Sequence, residues 1–159
     1  MNKWKVERVD NFNDAIKATH TSHQVATVQH RGQFNTIVYI AYKNSSSIII
    51  EDDDTGVVPE VQDAFGEIFV GTSSSIVCFD SLLQSKRHIL IDTPFVKFLC
   101  STEHFTMIAV CEADIYFIHP SFVLTNHTPL NDMVNDCFLC GDKILVNLFE
   151  GTQLEIKIS

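Results

Sequence analysis

The amino-acid sequence predicts an all-β fold assembled from repeated antiparallel units, and three observations carry that prediction. First, four segments share one plan of apolar strand, short polar turn and apolar strand: Thr36–Glu51, Glu67–Asp80, Phe105–Ile118 and Lys143–Ile158. Each is rich in Ile, Val, Phe and Tyr, which suit a pleated, packed surface. Each reverses through Ser, Asn, Ala-Asp or Gly-Thr, residues that serve tight turns. Second, the turns centre near Ser46, Ser74, Ala113 and Gly151, so the last two steps are 39 and 38 residues and the first is 28. Third, Phe-Leu-Cys-Ser begins at Phe98 and Phe-Leu-Cys-Gly at Phe138, each a few residues ahead of a hairpin. A period near forty residues that holds several strands marks a repeat architecture.

The elements follow in order. Asp10 stands as an N-cap before Phe12, Ala15 and Ile16, which share one face at helical spacing, so a short helix is predicted over 11–19. His23–His30 reads as a strand. Helix and strand form an amino-terminal appendage over 1–35, and the hairpin units fill 36–159 of a single domain, 1–159. Arg87–Asp92, Pro94–Cys100 and Ser121–Thr125 supply shorter strands, which brings each unit to three or four. Over residues 60–159 this pattern resembles the blade array of β-propellers, without the Gly-His opening or Trp-Asp ending of WD-type blades. The resemblance implies a partial (half) propeller or a set of twisted antiparallel sheets, because a closed ring takes four or more blades. An unclosed array leaves strand edges open to pairing, and the amino-terminal segment is available to cover them.

A chain of 159 residues, 45% hydrophobic and 19% charged, buries enough surface to fold without staples. Its five cysteines are expected to be reduced core thiols. The start, MNKWKVERVDNF, carries charge and no apolar h-region, which argues against a secretory signal. No run reaches the roughly 18 apolar residues of a membrane span. A cytoplasmic protein with no membrane partner is expected. The net charge is −9 and unevenly spread, with no Lys or Arg between Lys43 and Lys86 or between Lys97 and Lys143. Such fields repel nucleic-acid phosphates and anionic lipid and attract basic surfaces, so direct nucleic-acid binding is not expected.

The run Glu51-Asp52-Asp53-Asp54 raises metal chemistry. Its spacing is not that of a Ca²⁺ loop. Successive side chains on a strand point to opposite faces, so four carboxylates in a row converge only if the chain turns there. Cys137 and Cys140 have CxxC spacing, for which His20 and His23 are the only near match as a second pair. Both cysteines fall in an apolar strand pattern, and core packing is the expectation. His88, His104, His119 and His127 show no neighbour pattern of a general base. The chain has no G-x-S-x-G, P-loop, dinucleotide fingerprint or H-E-x-x-H. No catalytic group, metal or cofactor is therefore expected.

The expected function is binding. Glu51, Asp52, Asp53 and Asp54, supported by Glu60, Asp63 and Glu67, would meet a basic protein. Nuclease sites are cationic because they hold phosphates, so an immunity or inhibitor protein that occludes a basic nuclease toxin suits these properties. Two alternatives stand beside it: a metal-dependent hydrolase using Asp52–Asp54, and an interaction module that pairs through an open sheet edge.

Overall fold

The computed structural model describes residues 3–29 and 35–158. Four small sheets follow one another along the chain. The first holds β1 (Lys5–Val9), β2 (Gln24–Val28), β3 (Thr36–Lys43) and β4 (Ser46–Asp53) in the order β1-β3-β4-β2, with β2 parallel to β4 and the other pairs antiparallel. The second is a meander of β5 (Glu60–Ala64), β6 (Glu67–Gly71), β7 (Ser75–Asp80) and β8 (Lys86–Leu90). The third repeats that plan with β9 (Phe95–Ser101), β10 (Thr106–Cys111), β11 (Asp114–His119) and β12 (Val123–Pro129). The fourth has three strands, β13 (Val134–Cys140), β14 (Lys143–Leu148) and β15 (Gln153–Lys157). This is the all-β, partial propeller-like architecture that the repeat predicts.

The sheets pack face to face, which explains their sequences. Tyr39, Ile48 and Ile50 of the first meet Val70, Val77 and Phe79 of the second. The opposite face of the second, with Phe69, Ile76 and Cys78, meets Phe98, Met107 and Ile118 of the third. Ile108, Val110 and Phe117 then meet Ile144, Val146 and Leu148 of the fourth. A middle sheet is covered on both faces, so its strands read as unbroken apolar runs rather than alternating ones; every residue of β10 is buried. The first strands β1, β5, β9 and β13 lie side by side along one side of the stack.

The helix α1 (Phe12–Ala18) closes one end, setting Ala15 and Phe12 on Val38, Ile40 and Ile49 of the first sheet. Its cap is Asn11 rather than Asp10. Asn11 is extended at φ −160° and ψ 172°, and its side-chain oxygen accepts the Asp14 N–H at 3.0 Å, as an N-cap must. The far face of the fourth sheet carries exposed Phe138 and the Lys143–Glu155 ion pair at 2.6 Å.

The short 28-residue step has a topological cause. Later steps cross four strands, whereas the first crosses only β4, β5 and β6, because the outer strand of the first sheet, β2, comes from upstream. The turn at Asn44–Ser45 therefore lies on the opposite rim from the turns after Gly71, Cys111 and Leu148, and is not their equivalent.

That opposite rim is conformationally strained. All non-glycine residues with positive φ among the described residues lie in its turns: Asn44, Phe65, Leu83, Phe105, Ser121 and Phe122. Left-handed backbone costs an ordinary residue about 1–2 kcal/mol. Phe105, at φ 48°, is 63% exposed and keeps a single ring contact, with Phe65 at 5.8 Å. Phe105→Asn is therefore expected to raise unfolding stability by about 0.5–1 kcal/mol in urea titration, since Asn tolerates this region. A loss larger than 1 kcal/mol would mean that the aromatic contact outweighs the strain.

Candidate functional site

From β2 onward successive strands reverse direction, so every second loop reaches the same rim. One rim gathers the loop after β4 and the residues that join β6–β7, β8–β9, β10–β11, β12–β13 and β14–β15. Hydrogen bonds stitch these loops together: Ile91 N–H to Ser74 O at 3.2 Å, Glu112 N–H to Pro94 O at 2.8 Å, Val134 N–H to Glu112 O at 2.6 Å, and Phe149 N–H to Met133 O at 3.0 Å. The rim carries Asp54, Asp92, Glu112, Asp114, Asp132 and Glu150, beside Asp52 and Asp53. No Lys or Arg stands in these loops among the described residues; Arg31 lies outside the described residues. Blade stacking thus collects carboxylates that are far apart in the chain.

The seven carboxylates singled out from sequence divide between several environments. Alternation sends Asp52 to the face shared with the second sheet and Glu51 and Asp53 to the other. Asp52 is 1% exposed. Its two oxygens accept the Ser73 N–H at 3.1 and 3.0 Å, and one of them also accepts the Ser73 hydroxyl and the Asp53 N–H. Asp53 is buried, Glu51 half-buried and Asp54 exposed. Glu60 accepts the Phe98 N–H at 2.9 Å; burial raises its carboxyl above the ordinary range, against that N–H and the charge of Lys97. Asp63 accepts from Lys43 Nζ at 2.6 Å and Trp4 Nε1 at 3.1 Å. Glu67 accepts the Ser121 N–H at 2.6 Å on the opposite rim. Asp52 and Asp63 thus tie the first sheet to the second, and Glu60 and Glu67 tie the second to the third. Among the described residues, Asp52, Asp53 and Asp54 do not converge as a three-ligand group.

One cluster does converge. Single ligand atoms of Asp92, Asp114 and His127 lie within 4.8 Å of one another. Asp114 opens β11 and is buried, His127 stands on β12, and Asp92 follows β8. His127 Nε2 is 2.7 Å from Asp114 Oδ1, and the Thr93 hydroxyl donates to Asp114 Oδ2 at 2.7 Å. The Asp92 N–H donates to the Tyr116 hydroxyl at 3.0 Å, and that hydroxyl lies 3.4 Å from Asp92 Oδ2. The Tyr116 and His127 rings stack at 4.3 Å and 8°. Burial, then the charges of Asp114 and Asp92, push the Tyr116 hydroxyl up to about 12 against the Asp92 N–H; burial and the same carboxylates push the Cys111 thiol to about 12. Local sequence gives no sign of this cluster, because its members come from three segments and meet only through the register that sets Tyr116 opposite His127.

The CxxC pair divides. Cys137 is buried in the core between the third and fourth sheets, but Cys140 is exposed. Residues three apart on a strand face opposite ways, so the expectation of two core thiols fails for Cys140. No helix among the described residues is long and apolar enough to cross a membrane.

No family model matches the chain, nor does any curated protein. Solved structures do. The computationally designed Ika4 protein is similar at a TM-score of 0.53 and 10% identity, over 88% of this chain and 94% of that one. BBS1N, solved in complex with ARL6DN, has a TM-score of 0.49 and 11% identity over 82% of this chain, which spans 46% of its length. HIRA(644–1017) has a TM-score of 0.39 and 14% identity over 82% of this chain and 47% of its own. The likeness to Ika4 is one of fold alone.

Proposed function

We propose that the chain is a binding protein for a basic protein, and that the acidic rim is the contact surface. The observation that supports this is the gathering of Asp54, Asp92, Glu112, Asp132 and Glu150 on one rim whose described loops hold no Lys or Arg. Clustered charge of one sign steers an oppositely charged partner and raises its association rate. Within this reading the partner is a basic nuclease toxin, whose cationic groups are matched to phosphates; the chain would act as its immunity or inhibitor protein and cover that site. The contact set moves from the Glu51–Glu67 segment to the rim, because Asp52, Glu60, Asp63 and Glu67 are engaged in ties between sheets.

A triple variant, Asp54→Lys with Glu112→Lys and Glu150→Lys, tests this. The measurement is the association rate with basic proteins captured from the native host, at low and at physiological salt. The expected result is an on-rate reduced about tenfold or more at low salt, with the difference shrinking as salt rises. An unchanged, salt-independent on-rate would remove the acidic rim from recognition.

A further inference from the structure

We propose that Asp92, Asp114 and His127 form a binding site for a divalent transition-metal ion, Zn²⁺ or Mn²⁺. This goes beyond the partner reading and stands without it.

The ligand geometry is nearly assembled. Metal bonds to carboxylate and imidazole are about 2.0–2.2 Å long, which sets neighbouring ligand atoms about 3 Å apart. The three donors already lie within 4.8 Å of one another, so small side-chain rotations close the set. Nothing in the backbone has to move, because Asp114 and His127 sit on paired strands β11 and β12. The Asp92 N–H is held by the Tyr116 hydroxyl at 3.0 Å.

Each ligand has an outer partner that aims it. Thr93 donates to Asp114 Oδ2 at 2.7 Å and itself accepts the Ala113 N–H at 3.0 Å. The Tyr116 ring lies flat against the His127 imidazole. Outer hydroxyls of this kind orient ligands and set affinity in metal sites.

Charge balance supplies an independent argument. Asp114 is 4% exposed, and no Lys or Arg pairs with it or with Asp92 among the described residues. A buried carboxylate without a cation is costly. Among the described residues, the group that pairs with Asp114 is His127, which is positive only when protonated. A divalent ion offsets both carboxylates. It also requires the lone pair of His127 Nε2, so the imidazole proton moves to Nδ1, or leaves to solvent if the ring was charged.

The donor set selects the ion. Two oxygens and one imidazole nitrogen suit Zn²⁺ or Mn²⁺, whereas Ca²⁺ and Mg²⁺ prefer oxygen alone. Asp92 and His127 are on the surface, which leaves a coordination position open to solvent.

The test is calorimetric titration of Zn²⁺, and separately Mn²⁺, into the untagged full chain at pH 7.5 in a non-chelating buffer, with Ca²⁺ and Mg²⁺ as comparisons. One equivalent of Zn²⁺ or Mn²⁺ should bind, with affinity lowered about tenfold or more in Asp92→Asn and in His127→Gln, and at least several-fold in the outer variant Tyr116→Phe. His127 also holds buried Asp114 and stacks on Tyr116, so thermal unfolding without metal first establishes that each variant is folded at the titration temperature. Asp142→Asn, exposed in the β13–β14 turn on the opposite rim, should bind as the parent does. The proposal is overturned if neither ion binds stoichiometrically, if binding survives His127→Gln, or if Asp142→Asn weakens it as much as the ligand substitutions do.

Discussion

Gly71→Ala is expected to lower unfolding stability by about 3 kcal/mol, one of the largest effects of any single methyl group in this chain. Gly71 ends β6 and is buried where the second sheet meets the third. A Cβ there would overlap Cε1 and Cζ of Phe95 and lie 2.6 Å from its Cδ1. Real atoms do not approach so closely, so ring or strand must shift. The ring has little room: Phe95 is fully buried and packs against Phe98 at 4.6 Å. Overpacking of this kind costs about 1–3 kcal/mol and sometimes more. Against it, alanine loses less backbone entropy than glycine on folding, worth about 0.5–1 kcal/mol. The clash wins because it falls on a fixed aromatic rather than the end of a flexible chain. Urea titration of Gly71→Ala, Phe95→Leu and the double variant checks the assignment. The double should be more stable than the sum of the singles predicts, since a leucine leaves space for the new methyl. A single variant within 0.5 kcal/mol of the parent would show that Phe95 does not occupy the place of the missing side chain.

The same contact shows what the sequence could and could not convey. Repeated hairpins with a period near forty were legible because each sheet must bury both faces or nearly so, and apolar strand residues recur wherever it does. Phe98 and Phe138 marked equivalent strands, β9 and β13, although Phe98 is buried and Phe138 is exposed. The irregular first step was visible as a number but not as a cause. Nothing local tells that β2 runs parallel to β4 and supplies an outer strand from upstream. Side-chain meetings across sheets were illegible altogether. Glu60 and Asp63 looked like free surface charge, yet each finds a donor on a neighbouring sheet, Phe98 N–H and Lys43 Nζ, at sequence separations of 38 and 20 residues. Charge counts register how many carboxylates a segment has. They do not register which backbone N–H groups are left without partners where two sheets meet, and those groups decide where the carboxylates go.

Asp52 and Asp54 put that distinction to a direct test, since they are two residues apart in one acidic run and should respond in opposite ways. Asp52→Ala is expected to cost about 3 kcal/mol. The substitution strips the buried Ser73 N–H and hydroxyl of their acceptor and frees the Asp53 N–H, and each unmet buried group costs about 1–3 kcal/mol. Part of that is returned, because a buried negative charge is removed with the carboxylate. Asp52→Asn, which keeps one acceptor oxygen, should lose less than half as much. Asp54→Ala should stay within about 0.5 kcal/mol of the parent, as exposed substitutions do. The midpoint of urea unfolding at constant slope is the measurement. Association with a basic partner should show the reverse order: Asp54→Lys slows it, whereas the folded Asp52→Asn variant associates at the parental rate, because its carboxylate faces the second sheet rather than solvent. Equal stability of the Asp52 and Asp54 variants would dissolve the tie between the first two sheets. An association rate that falls with Asp52→Asn would instead mean that the run acts as one surface, with the bond to Ser73 opening when the partner arrives.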